Sequence, residues 1–182
     1  MTTIYLIRHA EAEGNIYRRY HGWYNSLITL NGYRQIQALE KRFEGVRIDA
    51  VYSSDLFRTM TTAGALYKSR GLELHTDPGL REIGGGVWED KTWGWLHREN
   101  EGALDAFNRA DPAWQVEGSE TFGGVQMRVT HAIRRIAAAH PGQTVAIFSH
   151  GTAIRTALAK FYGYSLDQIA RVPHGDNTCV SK

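Results

Sequence analysis

Apolar and polar positions switch between two periods along the chain, and each switch marks an element. Thr2-Thr3-Ile4-Tyr5-Leu6-Ile7, Asp49-Ala50-Val51-Tyr52-Ser53, Leu72 to Thr76 and Thr144-Val145-Ala146-Ile147-Phe148 are short apolar runs. Runs of this length and composition are predicted as strands, mostly buried on both faces. Between them the apolar spacing lengthens to three and four. Ile36, Leu39 and Phe43 share one face of a predicted helix from about Asn31 to Phe43, which Gly45 is placed to stop. Met60, Ala63 and Tyr67 mark a second helix, with Ser54-Asp55 as its expected N-cap and Gly71 near its end. Val125, Val129, Ala132, Ile133 and Ile136 form the clearest stripe, closed by Pro141-Gly142. Ala153, Ile154, Ala157, Leu158 and Phe161 form another, up to Gly163, and Ser165 with Gln168 has the capping-box spacing of one more short helix. Asn177 to Val180 begins like a last, short strand.

The alternation of strands and helices predicts an α/β chain: a three-layer αβα sandwich with a mostly parallel central sheet and helices on both faces. A single domain over 1–182 is expected, with a lid-like insertion at about 83–124 that holds Gly84-Gly85-Gly86 and all the tryptophans except Trp23. Composition refines this only slightly. At 42% hydrophobic and 22% charged residues the chain can bury an ordinary core. The net charge of +2, with both signs interspersed, gives no nucleic-acid footprint and suits a small phosphorylated ligand better. Cys179 is the single cysteine, so no internal disulfide forms. The first residues read as a strand and not as a signal peptide, and no apolar stretch reaches membrane-spanning length. The cytoplasm is the expected compartment, with neither nucleic acid nor membrane as a partner.

Chemistry gathers where strands end. The first strand runs into Arg8-His9-Ala10-Glu11, and the Thr144 strand into Ser149-His150-Gly151 with a helix following. If the two strands are parallel neighbours, both imidazoles can face one phosphate at the carboxyl edge of the sheet. Adjacent strand residues point to opposite faces, so the chain is expected to bend just after Ile7 if Arg8 and His9 are both to reach it.

Four ordered segments, Leu6 to Glu11 with Asn15, Tyr52 to Thr59, Leu80-Arg81-Glu82-Ile83, and Phe148 to Gly151, resemble the histidine phosphatase superfamily, also called the phosphoglycerate mutase-like family. The resemblance covers almost the whole chain. It implies His9 as the nucleophile that becomes a phosphohistidine, Arg8 and Arg58 as a guanidinium clamp on the phosphoryl oxygens, and His150 as a cationic or hydrogen-bonding contact to the same oxygens. Glu82 is implied as proton donor to the leaving alkoxide and then as the base that activates water. Asn15 matches a family position near the phosphate. Arg19, His21 and Gly22, in an aromatic-rich loop over 10–28, are the first candidates for substrate binding.

Members of this family divide into phosphatases and cofactor-dependent mutases. The stretch Leu80 to Glu89 is similar to the phosphatase type, with Trp88 after the glycines, whereas the mutase-type Glu-Arg-His-Tyr-Gly sequence and a later Arg-Arg pair are absent. A phosphatase acting on a small phosphorylated metabolite is therefore expected. The alternatives are a 2,3-bisphosphoglycerate-dependent phosphoglycerate mutase and a non-catalytic module that binds a phosphorylated ligand. No metal and no other cofactor are expected, since His75, His97, His131 and His140 lack ligand spacing and the phosphohistidine route needs none. The tryptophans of the insertion are read mainly as a small core of the lid itself, and the glycine run as a flexible hinge.

Overall fold

The computed structural model describes residues 1–182. Five strands, β1 (Thr3–Arg8), β2 (Ala50–Ser53), β3 (Leu74–Thr76), β4 (Thr144–Ser149) and β5 (Val180–Ser181), form one sheet in the order β3-β2-β4-β1-β5. All pairings are parallel except β1 with β5. Seven helices surround it: α1 (Glu13–Ile16), α2 (Leu30–Arg42), α3 (Phe57–Tyr67), α4 (Trp93–Glu99), α5 (Glu101–Asn108), α6 (Phe122–Ala139) and α7 (Gly151–Phe161).

Alternation along the strands sorts the core into two layers. Ile7, Val51, Ala146 and Phe148 pack with Leu39, Phe43, Ala63 and Leu66 of the α2 and α3 side. Leu6, Ala50, Val145 and Ile147 pack with Val125, Val129, Ile136, Ala153 and Ala157 of the α6 and α7 side. Both faces of β4 are thus covered, which is why it reads as an unbroken apolar run. The expected three-layer α/β sandwich is present.

The insertion departs from its reading. Trp88 and Trp114 are 0% and 2% exposed and belong to the same large core as α6 and α7, so they form no separate lid core. The glycine run is no hinge either. A Cβ at Gly85 would lie 2.2 Å from the Tyr20 ring, and one at Gly86 2.0 Å from the Glu117 carbonyl oxygen, with φ at +55°. These glycines let backbone and ring approach closely, seaming the insertion to the 10–28 loop.

Two further expectations shift. The N-cap of α3 is Leu56, with no side-chain cap; Ser54 and Asp55 turn to other partners, while Asn25 Oδ1 accepts the Phe57 N–H. The bend after Ile7 is absent, because β1 stays paired through Arg8, opposite Ser149, and the His9 N–H still donates to the Ser149 carbonyl.

The connections leaving β1 and β4 run in opposite directions across the sheet, β1 towards β2 and β4 towards β5. Such a switch opens a crevice at the carboxyl edge, between the two strand ends.

Candidate active site

His9 and His150 stand at that crevice, on the α3 side of adjacent strand ends, with ring centroids 5.3 Å apart. His9 is 2% exposed. Its Nδ1 lies 2.8 Å from the Ala10 carbonyl oxygen, an acceptor only, so Nδ1 carries the proton and Nε2 keeps a free lone pair. Burial, then the charges of Arg58, His21 and Arg8, holds the ring well below the ordinary histidine pKa, so it is neutral at physiological pH. The turn beyond it is fixed from afar. Ala10 N–H donates to Thr62 Oγ1, and the His9 carbonyl accepts from Asn177 Nδ2 and the Thr178 N–H of the C-terminal segment.

Arg8 points to the opposite face from His9 and reaches the crevice by its length. Its guanidinium folds over Gly151, where a Cβ would sit 3.4 Å from Cζ, and Nη1 donates to the Gly175 carbonyl. Arg58 enters from the first turn of α3, fully buried. Its Nη atoms donate to the carbonyls of His21, Gly22 and Tyr24 at 2.7 to 2.9 Å. Burial lowers its pKa to about 10, so it stays charged at neutral pH. The 22–24 loop that holds it is itself pinned by Glu89, whose carboxylate accepts the N–H groups of Trp23, Tyr24 and Gly85.

His150 is 0% exposed and its Nε2 lies 2.7 Å from Ser54 Oγ, which in turn meets Thr59 Oγ1 at 2.7 Å. Burial first, then Arg58, His9, His21 and Arg128, keeps its pKa well below the ordinary value. Of the two contacts expected for His150, the cationic one is therefore corrected to a neutral, hydrogen-bonding ring. In the tautomer in which Ser54 donates to Nε2, the ring proton sits on Nδ1.

Glu82 lies across the crevice from the strand ends. One of its carboxylate oxygens accepts the N–H groups of Ile83 and Ala153, and the other that of Thr152, so the first turn of α7 orients it. Its backbone is clamped as well. Arg128 of α6 spends all five N–H donors on the carbonyls of Gly79, Arg81 and Glu82 and on the Glu120 carboxylate, which also accepts the Gly84 N–H.

The crevice opens into a cleft of about 990 Å³ roofed by Trp93 and Phe107 of the insertion. Arg8, Asn15, Arg19, His21, Gly22 and Glu82 line it; His9, Arg58 and His150 are not on its lining but lie buried, His9 against His21 and His150. The nine residues singled out in the sequence thus come together, though not on equal terms. Asn15 is occupied: its Oδ1 accepts the Ala12 N–H and its Nδ2 faces His21 Nε2 at 3.3 Å. Arg19 Nη1 is tied to the Asp90 carbonyl and carboxylate, which fastens the loop to the insertion. His21 sits edge-on to His9, 5.5 Å between centroids, and burial with Arg58 and Arg8 lowers its pKa to about 3. Gly22 has no room for a side chain, since a Cβ would lie 2.3 Å from the Ile83 carbonyl oxygen.

Sequence reasoning missed Ser54 as the partner of His150, Glu89, Arg128 and Asn177. Ser54 lay inside a recognised segment but read as a cap; the others are single polar residues whose partners are remote in sequence.

Comparison with known proteins gives the family and the fold. The model of the histidine phosphatase superfamily (branch 1) matches residues 4–182. A protein of Proteus mirabilis named probable phosphoglycerate mutase GpmB is 30% identical over 163 residues, 90% of this chain and 76% of that one. Among solved structures, YhfR of Bacillus stearothermophilus superimposes with a TM-score of 0.95 at 35% identity, covering 99% of this chain and 89% of that one. The α-ribazole phosphatase of Shigella flexneri gives a TM-score of 0.86 at 26% identity, covering 97% and 87%. A family match that runs nearly end to end, on a chain where two strand ends and the first turn of α3 bring two histidines and two arginines together, means that this chain belongs to branch 1 of the histidine phosphatase superfamily.

Proposed function

We propose that the chain is a phosphomonoester hydrolase that acts on a small phosphorylated metabolite through a phosphohistidine on His9. One observation carries this reading. Only five buried side-chain nitrogen or oxygen atoms in the protein lack a hydrogen-bond partner, and three of them are Arg8 Nε, Arg58 Nε and His150 Nδ1. Buried donors are rarely left unpaired. Three of them belong to residues whose charge or ring bears on the neutral His9, and they match what a phosphoryl group's oxygens require.

In the first step His9 Nε2 attacks phosphorus, the N–P bond forms, and the ester P–O bond breaks. The leaving oxygen takes its proton from Glu82. Arg8, Arg58 and His150 hold the equatorial oxygens, where charge spreads in the transition state; losing one such donor typically costs about 3 kcal/mol. In the second step water attacks phosphorus, Glu82 takes the water proton, and the bond to His9 breaks. Two displacements replace one: the phosphorylated ring keeps its Nδ1 proton and carries a positive charge, and His9 is neutral again once water has displaced it.

The test is turnover of 4-nitrophenyl phosphate by wild type and His9→Ala, with mass spectrometry of the enzyme after a neutral quench. His9→Ala is expected to lose at least about a thousandfold in kcat, and the wild type to carry phosphate on residue 9 alone. Phosphate on another residue, or equal rates, would sink the mechanism. Relatives named as probable mutases make 3-phosphoglycerate a needed second substrate. Hydrolysis is expected with or without 2,3-bisphosphoglycerate, and rapid formation of 2-phosphoglycerate only with it would mark a mutase instead.

A further inference from the structure

The Ala10 carbonyl that accepts His9 Nδ1–H belongs to the peptide joining Ala10 to Glu11, so whatever holds this peptide also holds the imidazole. The other end of the same peptide, the Glu11 N–H, donates to Gln35 Oε1 at 2.8 Å. Gln35 is half-buried in the second turn of α2 and is not among the residues that line the cleft.

The start of α2 is built around Glu11. Thr29, the N-cap, donates its N–H to the Glu11 carbonyl at 3.1 Å and its hydroxyl to the Glu11 carboxylate at 2.6 Å. Asn31 Nδ2 donates to that carboxylate at 3.2 Å. Gly32 allows the approach, since a Cβ there would lie 2.2 Å from the Glu11 carbonyl oxygen. Gln35, three residues beyond Gly32, shares its helix face and so meets the backbone group of Glu11 that the first turn leaves unanswered, its N–H.

An amide paired at both ends is polarised, and its carbonyl becomes the stronger acceptor. Gln35 Oε1, the Glu11 N–H, the Ala10 carbonyl and His9 Nδ1 form such a chain. The partner of one ring nitrogen sets the tautomer and so the state of the other. The preceding peptide, between His9 and Ala10, has its own ties to Thr62, Asn177 and Thr178. Gln35 therefore acts on the acceptor of the Nδ1 proton and not on the His9 main chain.

We propose that Gln35 is a positioning residue for His9: by holding the Glu11 N–H it aims the Ala10 carbonyl at Nδ1 and keeps the Nε2 lone pair free for phosphorus. This rests on the nucleophile proposed above and adds to its machinery a helix residue outside the cleft.

The test joins kinetics on 4-nitrophenyl phosphate to NMR of protein labelled at its histidine nitrogens, which reads the ring proton without turnover. Wild-type His9 is expected in one tautomer, protonated on Nδ1. Gln35→Met keeps side-chain length and helix propensity but removes the acceptor. It should populate the Nε2-protonated tautomer and lower kcat about fivefold with KM changed by less than about twofold, as for one lost hydrogen bond. Gln35→Glu keeps an oxygen at the same reach and should restore both tautomer and kcat. If Gln35→Met does not fold, Gln35→Lys, which offers donors only, takes its place. An unchanged tautomer or an unchanged kcat in the variant without an acceptor overturns the positioning role, whatever its urea midpoint. So does a Gln35→Glu protein as slow as that variant. These outcomes leave the phosphohistidine standing. A wild type that carries no phosphate on His9 overturns the nucleophile itself, and the role of Gln35 with it.

Discussion

At the scale of single residues, the site runs on histidines kept neutral by burial among arginines. His9, His21 and His150 all have depressed pKa values in the folded chain, His21 to about 3, against 6.5 when unfolded. The unfolded chain therefore binds protons that the folded chain refuses as pH falls below 6.5, and stability drops with them. The stabilisation is complete above that value and is lost towards the folded pKa. Asp49 and Asp55 add their own loss only below about pH 4, since their folded pKa values lie under the ordinary 3.8. Urea midpoints are thus expected to fall steadily from about pH 6.5 to about pH 4.5, and a flat profile there would contradict neutral buried rings. Ser54 has a narrower effect. Ser54→Ala removes the partner of His150 Nε2 and should lower kcat about fivefold, the worth of one hydrogen bond of about 1 kcal/mol. As a positioning residue it should also shift the pH profile of kcat, which a loss of stability alone would leave in place.

At the scale of elements, what was legible in the sequence depended on whether an element faces apolar core or the site. β4 and α6 face core, and their apolar runs gave both type and buried face. In α3 the helix was readable, and Ala63 of its stripe is buried, but the rest of its inward face was not readable. Met60 and Tyr67 are only partly buried, while Arg58, Thr59 and Thr62 are at 0% exposure because they serve the site. Periodicity of apolar residues is silent where the buried face is polar by purpose. The same holds for Arg128, which stands in α6 beside the stripe residue Val129 and gives no sign that it clamps the 79–84 backbone across the molecule. Arg128→Met is expected to lower kcat by about 10- to 100-fold with little change in KM, the usual effect of moving a reacting group by about 1 Å. The loss should be greater for an alkyl phosphate than for 4-nitrophenyl phosphate, whose leaving oxygen needs little proton assistance. Equal losses on both would separate Arg128 from the proton transfer proposed for Glu82.

At the scale of the whole molecule, the insertion is part of the main core and has no independent body. Trp88, Trp114, Phe107 and Phe122 form a continuous run of ring contacts, and Tyr20 of the 10–28 loop joins it through Trp88. Gly85 sits where that seam is tightest. Gly85→Val is expected to destabilise the fold by about 1 to 3 kcal/mol through overpacking, read as a lower urea midpoint. The three layers could be inferred from the strand and helix alternation, but this seam could not, because a glycine run reads alike as hinge and as close contact. Which it is depends on a ring 65 positions away.

Near the other end of the chain, Gly175, Asn177, Thr178 and Cys179 grip Arg8 and His9 through main-chain and side-chain hydrogen bonds. The residue offered as nucleophile lies 168 positions along the chain from Asn177, one of the groups that square it up. Pairings between such distant positions close late in folding. A folding chain can therefore stack its sheet and helices and still be chemically inert. Removing residues 175–182 should leave a chain that folds around β4 yet cannot process phosphate, which would make activity a sensitive reporter of this long-range closure.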